Sequence, residues 1–290
     1  MRFWSLFFLS FYLILELLVP KAYCQTRMVL IYGSVTSSGT STSTTFKTVE
    51  DCKNGCFEKE DCIMMYFMLE KCRFYSYATN GQSFSILAQS KSYVAIKTDA
   101  SNIPNNTCPD TFTNIKFSYT SPATGDTYSF KKNSTGLSYT SCKTDWKRFE
   151  RADGTFVCMN IVLSNGTTYT KAQERCQELG GTVTGVASVE ESKFLQTKVP
   201  GPQPKGFWIG GGRNCPTVPC SSFRWVDGYT TSYDALVPSN AALTVSKNTD
   251  ANSENYLTVF ASNGTPLTIN DINQDFTSLI VGFVCGYKIL

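Results

Sequence analysis

Twelve cysteines and no histidine set the chemistry open to this chain of 290 residues. Without an imidazole there is no Ser-His-Asp triad, no Cys-His thiolate pair and no His-containing zinc site. Carboxylates remain for acid–base work. Asp and Glu total 23, so a glycosidase-type pair has its residue types, but no stretch gathers them into a recognisable catalytic motif. The cysteines carry more information. Cys52, Cys56, Cys62 and Cys72 form Cys-x3-Cys-x5-Cys-x9-Cys, a spacing open to a zinc knuckle or to two disulfides.

The N-terminus bears on that choice through the compartment. Arg2 precedes an apolar run from Phe3 to Val19, broken by Ser5, Ser10 and Glu16, and Pro20 ends it. Ala22-Tyr23-Cys24 then offers small side chains at a signal-peptidase spacing, which predicts a secretory signal peptide over residues 1–24. A retained anchor is the competing reading, but the run falls short of the roughly 20 apolar residues a span needs. No later segment is expected to span a membrane, and the end at Lys288-Ile289-Leu290 suggests no lipid-anchor signal. Four sequons, at Asn105, Asn133, Asn165 and Asn263, lie in polar, turn-like stretches and are the N-glycosylation candidates. An oxidising compartment favours disulfides over thiolate zinc ligands. The net charge of +3 lacks the basic balance of a nucleic-acid binder.

These cysteines need elements to hold them. Thr36 to Thr45 is Ser, Thr and Gly only, an exposed loop with nothing to bury. Thr48 can cap a helix whose first turn holds Glu50 and Asp51, and Cys52 and Cys56 at i and i+4 share one face. Strands are expected at Cys62 to Phe67, Cys72 to Tyr77 and Tyr93 to Lys97. Four cysteines allow three connectivities. The nested pairing Cys52–Cys72 with Cys56–Cys62 is preferred. A unit of about 70 residues gains much from such staples.

With its Cys52/Cys56 pair, Cys62-Ile63-Met64-Met65-Tyr66, Cys72-Arg73-Phe74-Tyr75 and Val94-Ala95-Ile96-Lys97, the segment from about Met28 to Lys97 resembles the PAN-like or CW domain of secreted nematode proteins. That resemblance implies a module that binds proteins or carbohydrates. Residues 1–24 are thus read as signal peptide and 25–100 as PAN-like domain. Residues 101–141 read as a linker and connecting segment of short strands or loops, and 142–290 as a second domain.

In the second domain, Thr168 or Thr170 can cap a helix bearing Ala172, Cys176 and Leu179, which Gly180-Gly181 stops. Ser188-Val189-Glu190-Glu191 is a capping-box pattern for a second helix. Phe207-Trp208-Ile209 leads into Gly210-Gly211-Gly212-Arg213, expected to be a structural turn rather than a phosphate loop. Phe223-Arg224-Trp225-Val226-Asp227-Gly228 reads as a strand closed by a turn, and Leu279 to Gly286 as a core strand.

In that order these motifs resemble the C-type lectin-like domain. The resemblance implies Cys176–Cys285, Cys142–Cys158 and Cys215–Cys220, with Cys108–Cys142 as a rival. The family's usual second core disulfide is missing, because Tyr256 stands at one half and Ile272 to Gln274 holds no cysteine. Loss of Cys24 with the signal peptide leaves an odd number of thiols. With the pairings the resemblance implies, Cys108 is the unpaired one and a disulfide-linked homodimer is expected, whereas the rival Cys108–Cys142 would free Cys158 instead. The expected fold class is α+β: a disulfide-stapled helix-on-sheet PAN-like domain, then a C-type lectin-like domain with two helices, mixed antiparallel sheets and a long loop region.

Sugar-binding members of that family coordinate Ca²⁺ through a Glu/Gln-Pro-Asn/Asp tripeptide, a further Glu and an Asn-Asp pair. Here the tripeptide position reads Val237-Pro238-Ser239; Glu254, Asn270 and Asp271 match the rest, with Ile269 where Trp is usual. Valine offers no side-chain oxygen, and a cation with 6–8 ligands needs several together. The expectation is therefore a secreted, non-enzymatic binder of a carbohydrate or protein ligand, in innate defence or matrix contact. No cofactor is expected, calcium being the one candidate. The alternatives are a calcium-dependent lectin and a secreted carboxylate-based hydrolase.

Overall fold

The computed structural model describes residues 26–37, 40–79, 81–103, 115–202, 204–215, 220–243, 254–262 and 266–289. The expected signal peptide, Cys24, Cys108 and the sequons at Asn105 and Asn263 lie outside the described residues. The fold class is α+β. The chain divides into two units: the chain up to Thr36 with Ser41–Tyr77 and Ser85–Ser138, and Ser37–Thr40 with Ala78–Phe84 and Tyr139–Leu290. Among the described residues no helix is long and apolar enough to cross a membrane.

Strands β1 (Thr26–Tyr32), β2 (Ser34–Ser37) and β3 (Thr42–Thr44) precede helix α1 (Val49–Glu58). After it come β4 (Cys62–Met68), β5 (Lys71–Ser76), β6 (Ser83–Leu87) and β7 (Tyr93–Asp99). The main sheet runs β1-β7-β4-β5-β3. Thr48 Oγ1 accepts the Asp51 N–H at 3.1 Å, satisfying a helix-start donor. The buried sulfurs of Cys52 and Cys56 then bond Cys72 on β5 and Cys62 on β4. Helix and sheet are thus stapled at two points around Met65, Phe67 and Phe74.

Four short strands follow: β8 (Ser118–Thr120), β9 (Thr127–Ser129), β10 (Lys131–Asn133) and β11 (Gly136–Thr140). β8 pairs with β9, and β2, β6, β10 and β11 form a sheet in the order β10-β11-β6-β2. The β8–β9 hairpin belongs to the first unit and packs against its β7 end. Asp99 accepts the Thr120 N–H at 3.1 Å and its hydroxyl at 3.0 Å, and Tyr77 stacks on Tyr128 with ring centroids 4.2 Å apart. Lys97, 2% exposed, donates from Nζ to the Lys59 carbonyl at 2.8 Å, beneath the Tyr119 ring.

The second unit holds β12 (Lys147–Glu150), β13 (Phe156–Leu163), α2 (Tyr169–Glu178), β14 (Thr182–Val183), α3 (Val189–Gln196), β15 (Lys205–Gly212) and β16 (Arg224–Trp225). It closes with β17 (Ala241–Ala242), β18 (Tyr256–Ala261), β19 (Ile269–Ile272) and β20 (Ile280–Ile289). The sheet order is β12-β13-β20-β15-β18-β19-β17, with β14 on β20 and β16 on β15. Thr168 caps α2 and Ser188 caps α3. Cys142–Cys158, Cys176–Cys285 and Cys215–Cys220 are bonded.

Two expectations change here. The loop read over Thr36 to Thr45 contributes strand at both ends: β2 runs to Ser37, and β3 pairs with β5 at Thr42↔Phe74 and Thr44↔Cys72. The turn read over Gly210-Gly211-Gly212 is strand, since β15 runs through Gly212. A β-carbon at Gly210 would lie 2.3 Å from the Val183 carbonyl oxygen, and one at Gly211 2.3 Å from Leu257 Cδ1. Close packing on both sides, not a turn, requires glycine there.

Lys97 gives this architecture a pH signature. Burial pulls its ammonium down from 10.5 to about 8. The unfolded chain keeps that proton until about pH 10.4. Between these values the unfolded state binds more protons, so stability rises with pH; below pH 8 the penalty is fully present. The Tyr119 phenol, which burial pushes up to about 12, acts in the opposite sense only above pH 10. Scanning calorimetry of the full chain should show the first unit melting higher at pH 9.5 than at 7.5. That rise should vanish in Lys97→Met; a rise that persists there would refute the assignment.

Candidate functional site

The Asp227-Gly228 turn organises one part of the second unit. Asp227 Oδ1 accepts the N–H groups of Tyr229 and Thr230, and Oδ2 accepts the Gly185 N–H at 2.7 Å and the Thr230 hydroxyl at 2.6 Å. Arg151 Nη1 donates to Thr230 Oγ1 at 2.7 Å, and its Nη2 donates to the Gly185 carbonyl at 3.0 Å. The same guanidinium grips Glu191 through Nε–Oε1 at 2.9 Å and Nη2–Oε2 at 3.1 Å. Their side chains are 4% and 5% exposed. Burial pushes the Tyr229 phenol up, so it stays protonated and donates to Thr184 Oγ1.

This network revises the capping box at α3. Ser188 Oγ accepts the Glu191 N–H at 3.1 Å as expected of a cap. The Glu191 carboxylate does not return to Ser188; it accepts the Ala187 N–H at 2.7 Å and the Arg151 fork. A bidentate pair with a guanidinium outweighs the single N–H bond that a capping box would return to the carboxylate.

A cavity of about 510 Å³ beside this network is lined by Asp153, Glu190, Glu191 and Asp234 among others. Hydrolysis by a carboxylate pair needs one member held protonated by a raised pKa. Here the shifts run downward. The Thr155 N–H and the Thr231 hydroxyl hold Asp153 below its ordinary value, and a backbone N–H with Ser188 does the same for Glu190. Glu191 is committed to Arg151. The Asp153 and Glu190 carboxyls are thus held toward the ionised form, the opposite of the shift a general acid needs.

The expected calcium ligands occupy different surroundings. Val237 follows a 3-10 turn over Asp234–Leu236, and its carbonyl accepts the N–H groups of Asn240 and Ala241. Its side chain, with those of Pro238 and Ser239, is exposed. Asn240 anchors the loop from within, donating to the Ala235 carbonyl at 2.7 Å and to Ser192 Oγ at 3.0 Å. Asn270 spends its amide on the Asp271 carbonyl at 3.0 Å, and its own carbonyl accepts the Thr258 hydroxyl.

Glu254 and Asp271 are brought together by a cation of the chain itself. Arg213 Nη2 donates to the Glu254 backbone carbonyl at 2.9 Å and to Asp271 Oδ2 at 3.1 Å. The guanidinium carbon lies 4.3 Å from the centroid of the Phe223 ring. Arg213 and Val237 line one cavity of about 420 Å³, together with Phe223, Tyr233 and Leu236. Tyr233 is 47% exposed and lies parallel to Trp225, centroids 6.0 Å apart. Among the described residues no group of three or more His, Cys, Asp or Glu is placed to hold a metal. The donors do not fit calcium: one carboxylate already carries a guanidinium, and the tripeptide supplies no carboxylate.

Residues 28–98 match the family of PAN-like domains, and residues 165–279 match the family of lectin C-type domains. The chain contains a PAN-like domain and a C-type lectin domain. Strands β12 and β13 and all of β20 lie outside the residues matched to the lectin family. Among solved structures, the chain is similar to the cow CD23 carbohydrate-recognition domain solved with a GlcNAc2Man3 oligosaccharide. That match has 22% identity, 52% of this chain, 98% of the other and a TM-score of 0.36. The lectin domain of murine dendritic cell inhibitory receptor 2, in complex with N-glycan, matches at 20% identity, 51% and 100% coverage and a TM-score of 0.37. Herring type II antifreeze protein matches at 23% identity, 51% and 100% coverage and 0.36. No curated protein matches the chain.

The roles of Arg151 and Arg213 lay outside the reach of motif reading. Their partners stand 40 and 58 residues away, and nothing at those spacings marks a pair. The lectin domain depends on the first of them. Arg151→Met leaves the Glu191 carboxylate buried without its ion, and should cost the domain about 3–5 kcal/mol in urea unfolding. The exposed Lys53–Glu50 pair is the control, where Lys53→Met should cost no more than about 1 kcal/mol. Equal losses from the two would show that the buried network is not critical.

Proposed function

We propose that the protein is a secreted, non-enzymatic binding protein whose lectin domain recognises a carbohydrate or protein without calcium-bridged sugar coordination. The observation that carries this reading is the Arg213 guanidinium on Asp271 and on the Glu254 carbonyl, beside a Val237 that has no oxygen to give. The exposed Tyr233 ring offers a flat apolar face of the kind on which a sugar ring or an aromatic side chain stacks. The PAN-like domain adds a second binding module.

Secretion is supported by the expected signal peptide and by five disulfides. Asn133 is exposed at the β10–β11 turn and Asn165 in the turn after β13, both open to glycosylation. Innate defence or matrix contact is the setting that fits such a pair of modules. Cys108 is proposed to link two copies covalently. A non-reducing gel should show a dimer that Cys108→Ser abolishes, and a monomeric wild type would sink that assignment.

The ligand reading is tested on a glycan array and an extracellular-protein array, each with calcium and with EDTA. Binding should be saturable, without turnover in a glycosidase screen, and unchanged by EDTA. A calcium ion at a hundredfold excess over its dissociation constant would stabilise the fold by about 2.7 kcal/mol. A calcium shift of that size in the wild type would overturn the metal-free reading in favour of a calcium-dependent lectin.

A further inference from the structure

A metal ion in a binding loop neutralises buried carboxylates and ties together backbone from several segments. Arg213 does both with a charge of the chain's own. It directly follows Gly212, and its backbone N–H donates to the Asn255 carbonyl at 3.0 Å. Its Nη2 reaches Asp271 on β19 and the Glu254 carbonyl ahead of β18. Its guanidinium covers Phe223 ahead of β16. One side chain thus joins the ends of four segments. The Arg213 side chain is 4% exposed and that of Asp271 1%, so both charges are withdrawn from water and each depends on the other. While Asp271 holds the guanidinium, its carboxylate is committed, and the fixed positive charge repels a divalent ion.

We infer that Arg213 is the resident cation of the lectin domain's long-loop region, a positioning residue that takes the place of a metal ion and pre-organises the wall of the 420 Å³ cavity. The inference deepens the metal-free reading above and rests on it for its meaning, but its own content is a coupling between two named residues. The planar fork matters as well as the charge, because one nitrogen must serve a carboxylate and a carbonyl while the flat face covers an aromatic ring.

The test uses the full secreted chain and the melting of its lectin domain. Arg213→Met and Asp271→Asn should each lower the midpoint by on the order of 10 °C, since each strands a buried charge. The double variant should lose clearly less than the two losses added, because it removes both charges. In a Val237→Glu/Ser239→Asn background, which restores the tripeptide oxygens, Arg213→Ala should gain a rise in midpoint with millimolar calcium chloride that the same background with Arg213 lacks and that Asp271→Asn abolishes. Should these variants not accumulate, Arg213→Lys keeps the charge without the fork. Its midpoint should fall, and adding Asp271→Asn should cost less than in the wild-type background. Additive losses, or a restored-tripeptide background whose calcium response is the same with and without Arg213, would overturn the inference. A calcium response in the wild type would overturn the metal-free ligand reading instead, so the two failures are distinguishable.

Discussion

The lectin domain is organised around its last strand. β20 pairs along eight residues of β13, from Phe156↔Ile289 to Leu163↔Gly282, and runs parallel to β15 at Phe207↔Gly282 and Trp208↔Phe283. β14 adds Val183↔Cys285. A strand flanked on both sides and packed on both faces has to be apolar nearly throughout, and Ile280 to Gly286 is buried without a break. It must also be narrow where backbones close on it. A β-carbon at Gly282 would meet the Val162 carbonyl oxygen at 2.3 Å, and one at Gly286 the Thr184 Cβ at 2.5 Å. The Cys176–Cys285 bond then holds α2 to this strand across 109 residues of sequence. In the chain-entropy account, a loop of that length limits the unfolded state by roughly 4–5 kcal/mol.

Around that strand, two buried arginines do work that apolar packing cannot. Arg151 joins the end of β12 to α3 and, through Thr230, to the Asp227 turn; Arg213 joins the end of β15 to the backbone ahead of β18 and to β19. Both arginines lie just past a strand and, besides a carboxylate on a helix or strand, each takes up a loop carbonyl, of Gly185 or of Glu254, which a fork of donors can collect. A buried pair adds little net stability over well-packed apolar residues, but losing one partner is costly. Their effect is to make one arrangement of the loops much cheaper than its neighbours. That is the property a ligand surface built on loops requires.

How much of this could be read beforehand depends on the range of the interaction. Thr48, Thr168 and Ser188 act within three residues, so their caps were legible from local chemistry. Strands β4, β5, β7 and β20 announced themselves as apolar runs. The glycine run of β15 misled because glycine signals turns locally, whereas its reason here is tertiary contact with Val183 and Leu257. The site was legible in types and not in roles. Glu254 meets Arg213 through its backbone carbonyl, which any residue could supply. Asp271 keeps the carboxylate the resemblance assigns to it and gives it to a guanidinium. No local pattern distinguishes those uses from metal ligation.

The missing second bridge follows the same logic of substitution. Tyr256 stands opposite Ile272 across β18 and β19. Its ring packs against Tyr169 at 4.3 Å between centroids and against Trp208 at 6.5 Å, and Tyr169 meets Trp208 edge-on at 5.7 Å. Trp208 in turn donates its indole N–H to the Thr167 carbonyl at 2.7 Å, just ahead of α2. Aromatic pairs contribute about 0.5–1.5 kcal/mol each beyond their burial, so three together reach the scale of one disulfide, about 2–5 kcal/mol. The two devices act on different states. A bridge limits the unfolded chain, while an aromatic cluster stabilises only the folded one. The tie of α2 to β15 and β18 is therefore indifferent to reductant, while the Cys176–Cys285 tie of α2 to β20 depends on an oxidising compartment. Reduction would remove the covalent link between α2 and the C-terminal strand and leave this aromatic contact among β15, β18 and α2 in place.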